Sequence, residues 1–199
     1  MSDPATAEDT ALGLLSRPGF AKLLAYRIFA MLSYQVVAVT VGWHIYEVTR
    51  NPFSLGLVGL AEVLPFFCVA PFAGYLVDHL PRRRLGMVAC SGLIATALVL
   101  TSVAKGWLPV EGVWPIYAAI ALTGMVRAFL SPIYNALFAR VLPREHFARG
   151  AGLGAVVFQT GMIAGPALGG VLVGFGGKGL SYAVATAFAL VAMGCLATL

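Results

Sequence analysis

Long apolar stretches recur along almost the whole chain and constrain its fold more than any other feature. Six of them follow one another between residue 23 and the end of the sequence. A helix needs about 20 mainly apolar residues to cross roughly 30 Å of hydrocarbon, and only helices or closed barrels satisfy their backbone there. None of the stretches alternates strictly, as a barrel strand would. The pattern predicts an all-α membrane protein with six transmembrane helices, at residues 23–46, 53–77, 85–104, 114–138, 150–175 and 180–199.

Composition agrees with a membrane protein and excludes several other classes. Hydrophobic residues make up 60% of the chain and charged residues only 11%, against roughly 25% charged in a soluble domain. The net charge of +5 does not indicate nucleic-acid binding, because the basic residues are distributed between the apolar stretches. Cys68, Cys90 and Cys195 lie inside apolar stretches and lack the spacing of a zinc site. We therefore expect no metal and no cofactor.

No motif of an enzyme is present in the sequence. It has no glycine-rich phosphate loop and no nucleophile with a neighbouring base, and its polar loops are too short to hold an ATP-binding domain. We therefore expect a protein that is not an enzyme and that draws on a source of energy other than ATP. A proton gradient is the simplest such source.

The basic residues predict the orientation of the helices. Loops rich in Lys and Arg stay in the cytoplasm. The count places the amino terminus inside, with residues 1–22 as a cytoplasmic tail, residues 23–199 as the transmembrane domain and the inner (plasma) membrane as the location. Nine basic residues lie on one side (Arg17, Lys22, Arg27, Arg82, Arg83, Arg84, Arg140, Arg144, Arg149) and three on the other (Arg50, Lys105, Lys178).

Short internal matches favour two inverted groups of three helices. The segment "PFAGYLV" (residues 71–77) resembles "PALGGVLV" (residues 166–173), and "RIF" (residues 27–29) resembles "RAF" (residues 127–129). Transporters are often built from inverted repeats of this kind. The last predicted span ends at Leu199 with no basic residue after it, so we expect the chain to continue as a longer protein. A complete six-helix protein remains the alternative.

Two ionisable residues lie near the middle of predicted spans, Glu62 in the second and Arg127 in the fourth. Each costs at least about 2.5 kcal/mol at that depth, so each is a functional hypothesis. We predict that Glu62 carries protons and that Arg127 adjusts the pKa of Glu62 or holds an anionic substrate. A static buried pair, or a Glu62 side chain that extends towards the membrane surface, is the alternative. Three further polar residues either contact substrate in a cavity or cross-link helices. These cavity candidates are Gln35, Asn135 and Gln159.

Charge is concentrated in "GYLVDHLPRRRL", residues 74–85. Asp78 lies at the carboxyl end of a predicted helix, where the helix dipole disfavours a carboxylate by about 0.3–1 kcal/mol. The arginines that follow Pro81 either only fix the topology or form a charge pair that breaks in another conformation. The segment resembles the loop between the second and third helices of the major facilitator superfamily, although His79 and Pro81 depart from its Arg and Gly. The resemblance implies a cytoplasmic gate, stabilising the outward-facing state, formed by Gly74, Asp78, Arg82 and Arg83.

The fifth predicted span, "GLGAVVFQTGMIAGPALGG" (residues 152–170), carries a second resemblance. Its fixed positions match the signature of the exporting, antiporter branch of the same superfamily. Glycines at intervals of four also form a groove that lets a neighbouring backbone approach, and an internal proline kinks the helix. A packing groove unrelated to transport direction is the alternative. The matching positions are Gly152, Gly161, Gly165, Pro166, Gly169 and Gly170.

The resemblance covers essentially the whole chain and is closest to macrolide-efflux and siderophore-efflux proteins. It implies the amino-terminal half of a twelve-helix fold that exports a small amphiphilic compound, of drug or siderophore type, in exchange for protons. The implied partners are this small-molecule substrate, protons, the lipid bilayer and a second six-helix half, from the same chain or another copy. A truncated, non-transporting protein, a six-helix scaffold and an uptake symporter remain alternatives. Substrate identity, stoichiometry and oligomeric state do not follow from the sequence.

Overall fold

The structure, a computed structural model, describes residues 11–107 and 112–199, and this part of the chain contains helices and no strands. Residues 1–10 of the predicted tail lie outside the described residues. Five of the helical segments described are long and apolar enough to cross a membrane. The helices are α1 (Ala11–Leu15), α2 (Pro18–Thr49), α3 (Pro52–His79), α4 (Arg82–Ala104), α5 (Trp114–Val141) and α6 (Phe147–Ala197), the last preceded by a 3-10 turn at Arg144–His146.

Local sequence signals explain where the first long helices end and begin. Arg50 ends α2 in the left-handed conformation (φ 50°), and its N–H donates to the carbonyl of Tyr46 at 2.8 Å. Asn51 caps α3 by accepting a hydrogen bond from the Phe53 N–H at 3.0 Å. Pro52 follows in the first turn, where a missing N–H costs nothing. Two residues therefore suffice to reverse the chain between α2 and α3.

The region of the fifth and sixth predicted spans differs from the expectation of two helices joined by a loop. Phe147–Ala197 is one hydrogen-bonded run that contains a single non-helical residue, Gly177, at φ 71° and ψ −178°. This backbone conformation favours glycine because it has no Cβ. We call the parts on either side α6a (residues 147–176) and α6b (residues 178–197).

Contacts with α2 show that the chain reverses at Gly177. In α6a, Gly161 lies against Met31 and Gly169 against Val39, so α6a runs parallel to α2. In α6b, the order is inverted. Lys178 pairs with Glu47 at 2.9 Å, near the end of α2, whereas the carbonyl of Thr198, just after α6b, accepts from Lys22 at 3.0 Å, near its start. One glycine thus takes the place of the loop that the sequence predicted.

The core is arranged along α2, which packs chiefly against α6, while α3 packs chiefly against α5. One apolar cluster surrounds Leu23 and Tyr26 at the first part of α2, and another surrounds Val41 and Ile45 near its end. In contrast, α3 has only three buried residues and exposes large apolar side chains. Apolar surface of this extent is typical of a face that meets lipid or another protein.

The glycines of α6a allow its backbone to lie close to α2. A Cβ added at Gly165 would lie 2.5 Å from Cβ of Gln35, and one at Gly169 would lie 3.1 Å from Cβ of Val39. Gly161 is buried in the same way, whereas Gly152 and Gly170 have open space around them. The glycine signature therefore has two faces, of which only one packs against α2.

We expect the Gly165→Ala variant to be less thermostable than the parent protein. Overpacking costs about 1–3 kcal/mol, which exceeds the gain of up to about 1 kcal/mol in helix propensity. The matched control is Gly170→Ala, which meets no atom within 4 Å and should melt at the parent temperature or slightly above it. The measurement is the melting temperature of the purified protein in detergent. Equal melting temperatures for the two variants would contradict the packing argument.

Candidate functional site

Two of the residues singled out by sequence, Glu62 and Arg127, form an ion pair between α3 and α5. Nη1 of Arg127 donates to Oε1 of Glu62, and their side chains are 36% (Arg127) and 17% (Glu62) exposed. Both residues lie near the middle of their helices. The pair therefore joins the middle of α3 to the middle of α5 through a charge-assisted hydrogen bond.

A glycine that the sequence analysis did not identify brings the two helices together. A Cβ at Gly124 would overlap the carbonyl oxygen of Glu62, so the backbones of α3 and α5 touch there. Gly124 lies one turn before Arg127 on α5, which places the arginine within reach of the carboxylate. The sequence shows that Gly124 precedes Arg127 by three residues, but it does not show which helix packs against Gly124.

Arg127 also contacts α2 through an aromatic ring. Its guanidinium lies 4.7 Å from the centre of the Tyr34 ring, and Tyr34 is buried. A cation over an aromatic face is attracted by the electrons of the ring. Arg127, which belongs to α5, therefore connects its own helix to α3 through Glu62 and to α2 through Tyr34.

A cavity of about 300 Å³ opens beside the ion pair, between α2, α5 and α6a with Phe66 of α3 at its edge. This volume is at the lower end of the range for small-molecule sites, about 300–1,000 Å³. Its wall is mostly aromatic and apolar and contains two arginines, Arg27 and Arg127. Other residues of the wall are Tyr26, Met31, Tyr34, Tyr134, Phe158 and Met162.

Arg27 is a cavity residue that the sequence analysis counted only as a topology signal. Its guanidinium lies 3.9 Å from the centre of the Tyr134 ring and 5.1 Å from that of Phe158. In residues 11–107 and 112–199, no carboxylate lies within 4 Å of it. Its position nine residues after Pro18, which is about 14 Å along the helix, is the signal that could have placed Arg27 inside the bundle.

The three predicted polar cavity residues do not lie together. Gln35 lies at the contact of α2 and α6a, where its Nε2 approaches Sδ of Met162 at 3.5 Å. Asn135 and Gln159 are exposed and do not belong to the cavity wall. Asn135 follows Arg127 and Ser131 at intervals of four, so the three share one face of α5.

The predicted gate residues lie where α3 ends and α4 begins. Asp78 is in the last turn of α3, and α4 starts at Arg82 after a two-residue connection. Asp78 and Arg83 are exposed, and a Cβ added at Gly74 would meet no atom within 4 Å. Among the residues that the structure describes, Asp78 forms no ion pair with the following arginines. Asp78 and Arg83 are therefore exposed on either side of this short connection, whereas Gly74 and Arg82 are half-buried.

An all-helical bundle with long apolar helices, an ion pair at depth and a cavity beside it defines a multi-pass membrane protein. The family model of the Major Facilitator Superfamily matches residues 23–199, and the chain belongs to this family. Its members are transporters rather than enzymes.

Similarity to individual proteins agrees with this membership. "Macrolide efflux protein A" of Streptococcus pyogenes is 23% identical over 156 residues, which are 76% of this chain and 38% of that protein. "Uncharacterized MFS-type transporter YfiS" of Bacillus subtilis (strain 168) is 22% identical over 128 residues, 64% of this chain and 29% of that protein. "Probable anion transporter 4, chloroplastic" of Arabidopsis thaliana is 26% identical over 185 residues, 86% of this chain and 34% of that protein. The chain thus spans about a third of the length of these relatives.

We expect Glu62 and Arg127 to be energetically coupled in a double-mutant cycle. Glu62→Gln and Arg127→Gln should each lower the free energy of unfolding, because each leaves the other charge unpaired at depth. The double variant should lose less free energy of unfolding than the two single variants lose together, with a coupling energy of about 0.5–3 kcal/mol. The measurement is denaturation of the four proteins in the same detergent. Strictly additive losses would show that the pair contributes nothing as a pair.

Proposed function

We propose that this chain is the amino-terminal half of a secondary transporter that exports a small amphiphilic compound in exchange for protons. The observation that carries the proposal is the Glu62–Arg127 pair at the edge of a cavity in the middle of long apolar helices. The similarity to a macrolide efflux protein supports export. Family membership supports alternating access, in which two halves rock about a central site.

The ion pair offers a way for proton binding to change the conformation. Ionised Glu62 holds α3 to α5 through Arg127, and a proton on Glu62 removes that attraction. A ligand shifts an equilibrium only when it binds the two states differently, and in this proposal a proton binds more tightly to the state in which Glu62 is not paired with Arg127. Substrate binding acts on the same helices, because Phe66 of α3 and Arg127 of α5 both contribute to the cavity wall. Protons and substrate thereby influence one conformational equilibrium.

We further propose six membrane crossings, arranged as two inverted groups of three, with the amino terminus in the cytoplasm. The reversal at Gly177 supports this count, since α6a and α6b would each make one crossing. The concentration of basic residues at one end of the helices supports the orientation. Exposed aromatic residues at the opposite end, Trp43, Tyr46, Trp107 and Trp114, support a membrane interface there. The inner (plasma) membrane is the proposed location.

The second half of the transporter is proposed to cover the open side of the site. Asn135 and Gln159 are exposed on helices that contribute to the cavity wall, so a second six-helix half would bring them into a closed cavity with Gln35. The exposed apolar face of α3 and the exposed glycines Gly152 and Gly170 of α6a support an interface on this side. This half would come from the same chain beyond Leu199 or from another copy.

The gate is proposed to close against that second half. Asp78 is exposed, without an ion pair among the described residues, and open space surrounds Gly74 one turn earlier. A helix of the other half can therefore approach Gly74 and pair with Asp78, while Arg82 and Arg83 hold the start of α4 beside it. Such contacts would stabilise the outward-facing state.

We expect Glu62→Gln to abolish export driven by a proton gradient while leaving exchange of substrate across the membrane intact. The amide cannot release a proton, but it keeps the shape of the side chain. The assay is substrate accumulation in everted vesicles, compared with exchange in proteoliposomes without a gradient. The matched control is Glu47→Gln, which removes an exposed carboxylate paired with Lys178 and should export normally. Gradient-driven export by Glu62→Gln at the parental rate would contradict the assigned role.

Labelling tests the proposed orientation. After replacement of the free cysteines Cys68, Cys90 and Cys195 by serine, we introduce Arg84→Cys or Lys105→Cys, both at exposed positions. A membrane-impermeant maleimide should label Lys105→Cys in intact cells and Arg84→Cys only after permeabilisation. The reverse pattern would mean that the chain is inserted the other way.

A further inference from the structure

Arg27 brings a positive charge into the cavity that nothing in the described structure neutralises. Of the two arginines in the wall, Arg127 has Glu62 as its partner. In the described ranges, 11–107 and 112–199, no carboxylate lies within 4 Å of Arg27. The rings of Tyr134 and Phe158 stabilise its charge from the sides. Ring faces leave its five N–H donors without strong acceptors.

A second unsatisfied donor lies at the same place. The hydroxyl of Tyr134 is buried and has no hydrogen-bond partner within the part of the chain that the structure describes, and Tyr134 is only 5% exposed. Both groups converge on Gly154 of α6a. A Cβ there would lie 3.3 Å from Nη1 of Arg27 and closer still to the Tyr134 hydroxyl. Buried polar groups in folded proteins nearly always have a partner, so the unpartnered hydroxyl of Tyr134 indicates a missing acceptor, and the half-buried guanidinium of Arg27 offers further donors beside it.

The other residues of the cavity wall indicate the chemistry of the rest of the bound molecule. Met31, Phe66 and Met162 present apolar, adaptable surface. Tyr134 follows Arg127 by seven residues on α5, which separates the two ends of the site by about 10 Å along the helix axis. The cavity of about 300 Å³ therefore has a cationic end at Arg27, a neutralised pair at the other end, and apolar walls between them.

We propose that the compound bound here is a small aromatic or apolar organic anion, whose carboxylate or sulfonate accepts hydrogen bonds from Arg27 and from the hydroxyl of Tyr134. This inference rests on the proposed transport function and names its substrate class. A planar guanidinium and a hydroxyl together match the oxygens of such a group. A membrane potential that is negative inside favours the exit of an anion, which agrees with export.

The test uses two probes of nearly the same shape, the anion 2-naphthoate and the neutral 2-naphthamide, and the purified transporter placed in lipid nanodiscs. Titration calorimetry measures both affinities. We expect the parent protein to prefer naphthoate by at least about tenfold, the effect of hydrogen bonds to a charged group. Arg27→Gln should bind the two probes about equally, whereas Arg27→Lys should keep a weaker preference for naphthoate. Tyr134→Phe should weaken naphthoate binding more than naphthamide binding.

The control and the alternative outcomes keep the proposal falsifiable. Arg140→Gln removes an exposed arginine at the end of the same helix as Tyr134 and should retain the parental preference. Equal binding of both probes by the parent protein, which needs no variant to fold, would overturn the proposal, as would an unchanged preference in Arg27→Gln. If everted vesicles transport naphthamide but exclude naphthoate, export stands and the anion site fails. If naphthoate binds through Arg27 but is not moved, the anion site stands and the transport function fails.

Discussion

The cost of placing an ionised side chain in an apolar bundle is the constraint on which the rest of this site depends. Arg127 lies near the middle of α5 with a carboxylate on one side and an aromatic ring on the other. Those two partners come from α3 and α2, so one side chain joins three helices. The proton coupling that we propose would act through this same contact.

Close approach of helices is the second condition, and glycine provides it at separate places. Gly124 lets α5 touch the backbone of α3 beside Glu62, and Gly165 lets α6a lie against α2. In a lipid environment the hydrophobic effect does not drive helices together, so packing at small residues has to do so. The same approach forms the cavity, because α2, α5 and α6a meet around it. Gly154 shows how directly this works, since its missing side chain leaves the space in which Arg27 and Tyr134 meet.

The two arginines of the cavity illustrate how environment separates residues of one type. Arg127 is satisfied within the protein, whereas Arg27 lies between two rings and has no carboxylate nearby among the described residues. The cavity therefore has one arginine paired within the protein and one that is not. This asymmetry would orient the anion that we propose.

The sequence by itself determined that the chain forms long apolar helices, and it singled out Glu62 and Arg127 as ionisable residues within two of them. These features are local, because hydropathy, proline at helix starts and capping residues act within a few positions. The tertiary structure alone decided that Glu62 and Arg127 touch, that Gly177 replaces a loop, and that Arg27 belongs to the cavity while Asn135 and Gln159 stay outside its wall. Each of these depends on which face of one helix meets another. Helices that are apolar on all sides have no amphipathic stripe, so their sequence does not indicate which face packs against a neighbouring helix.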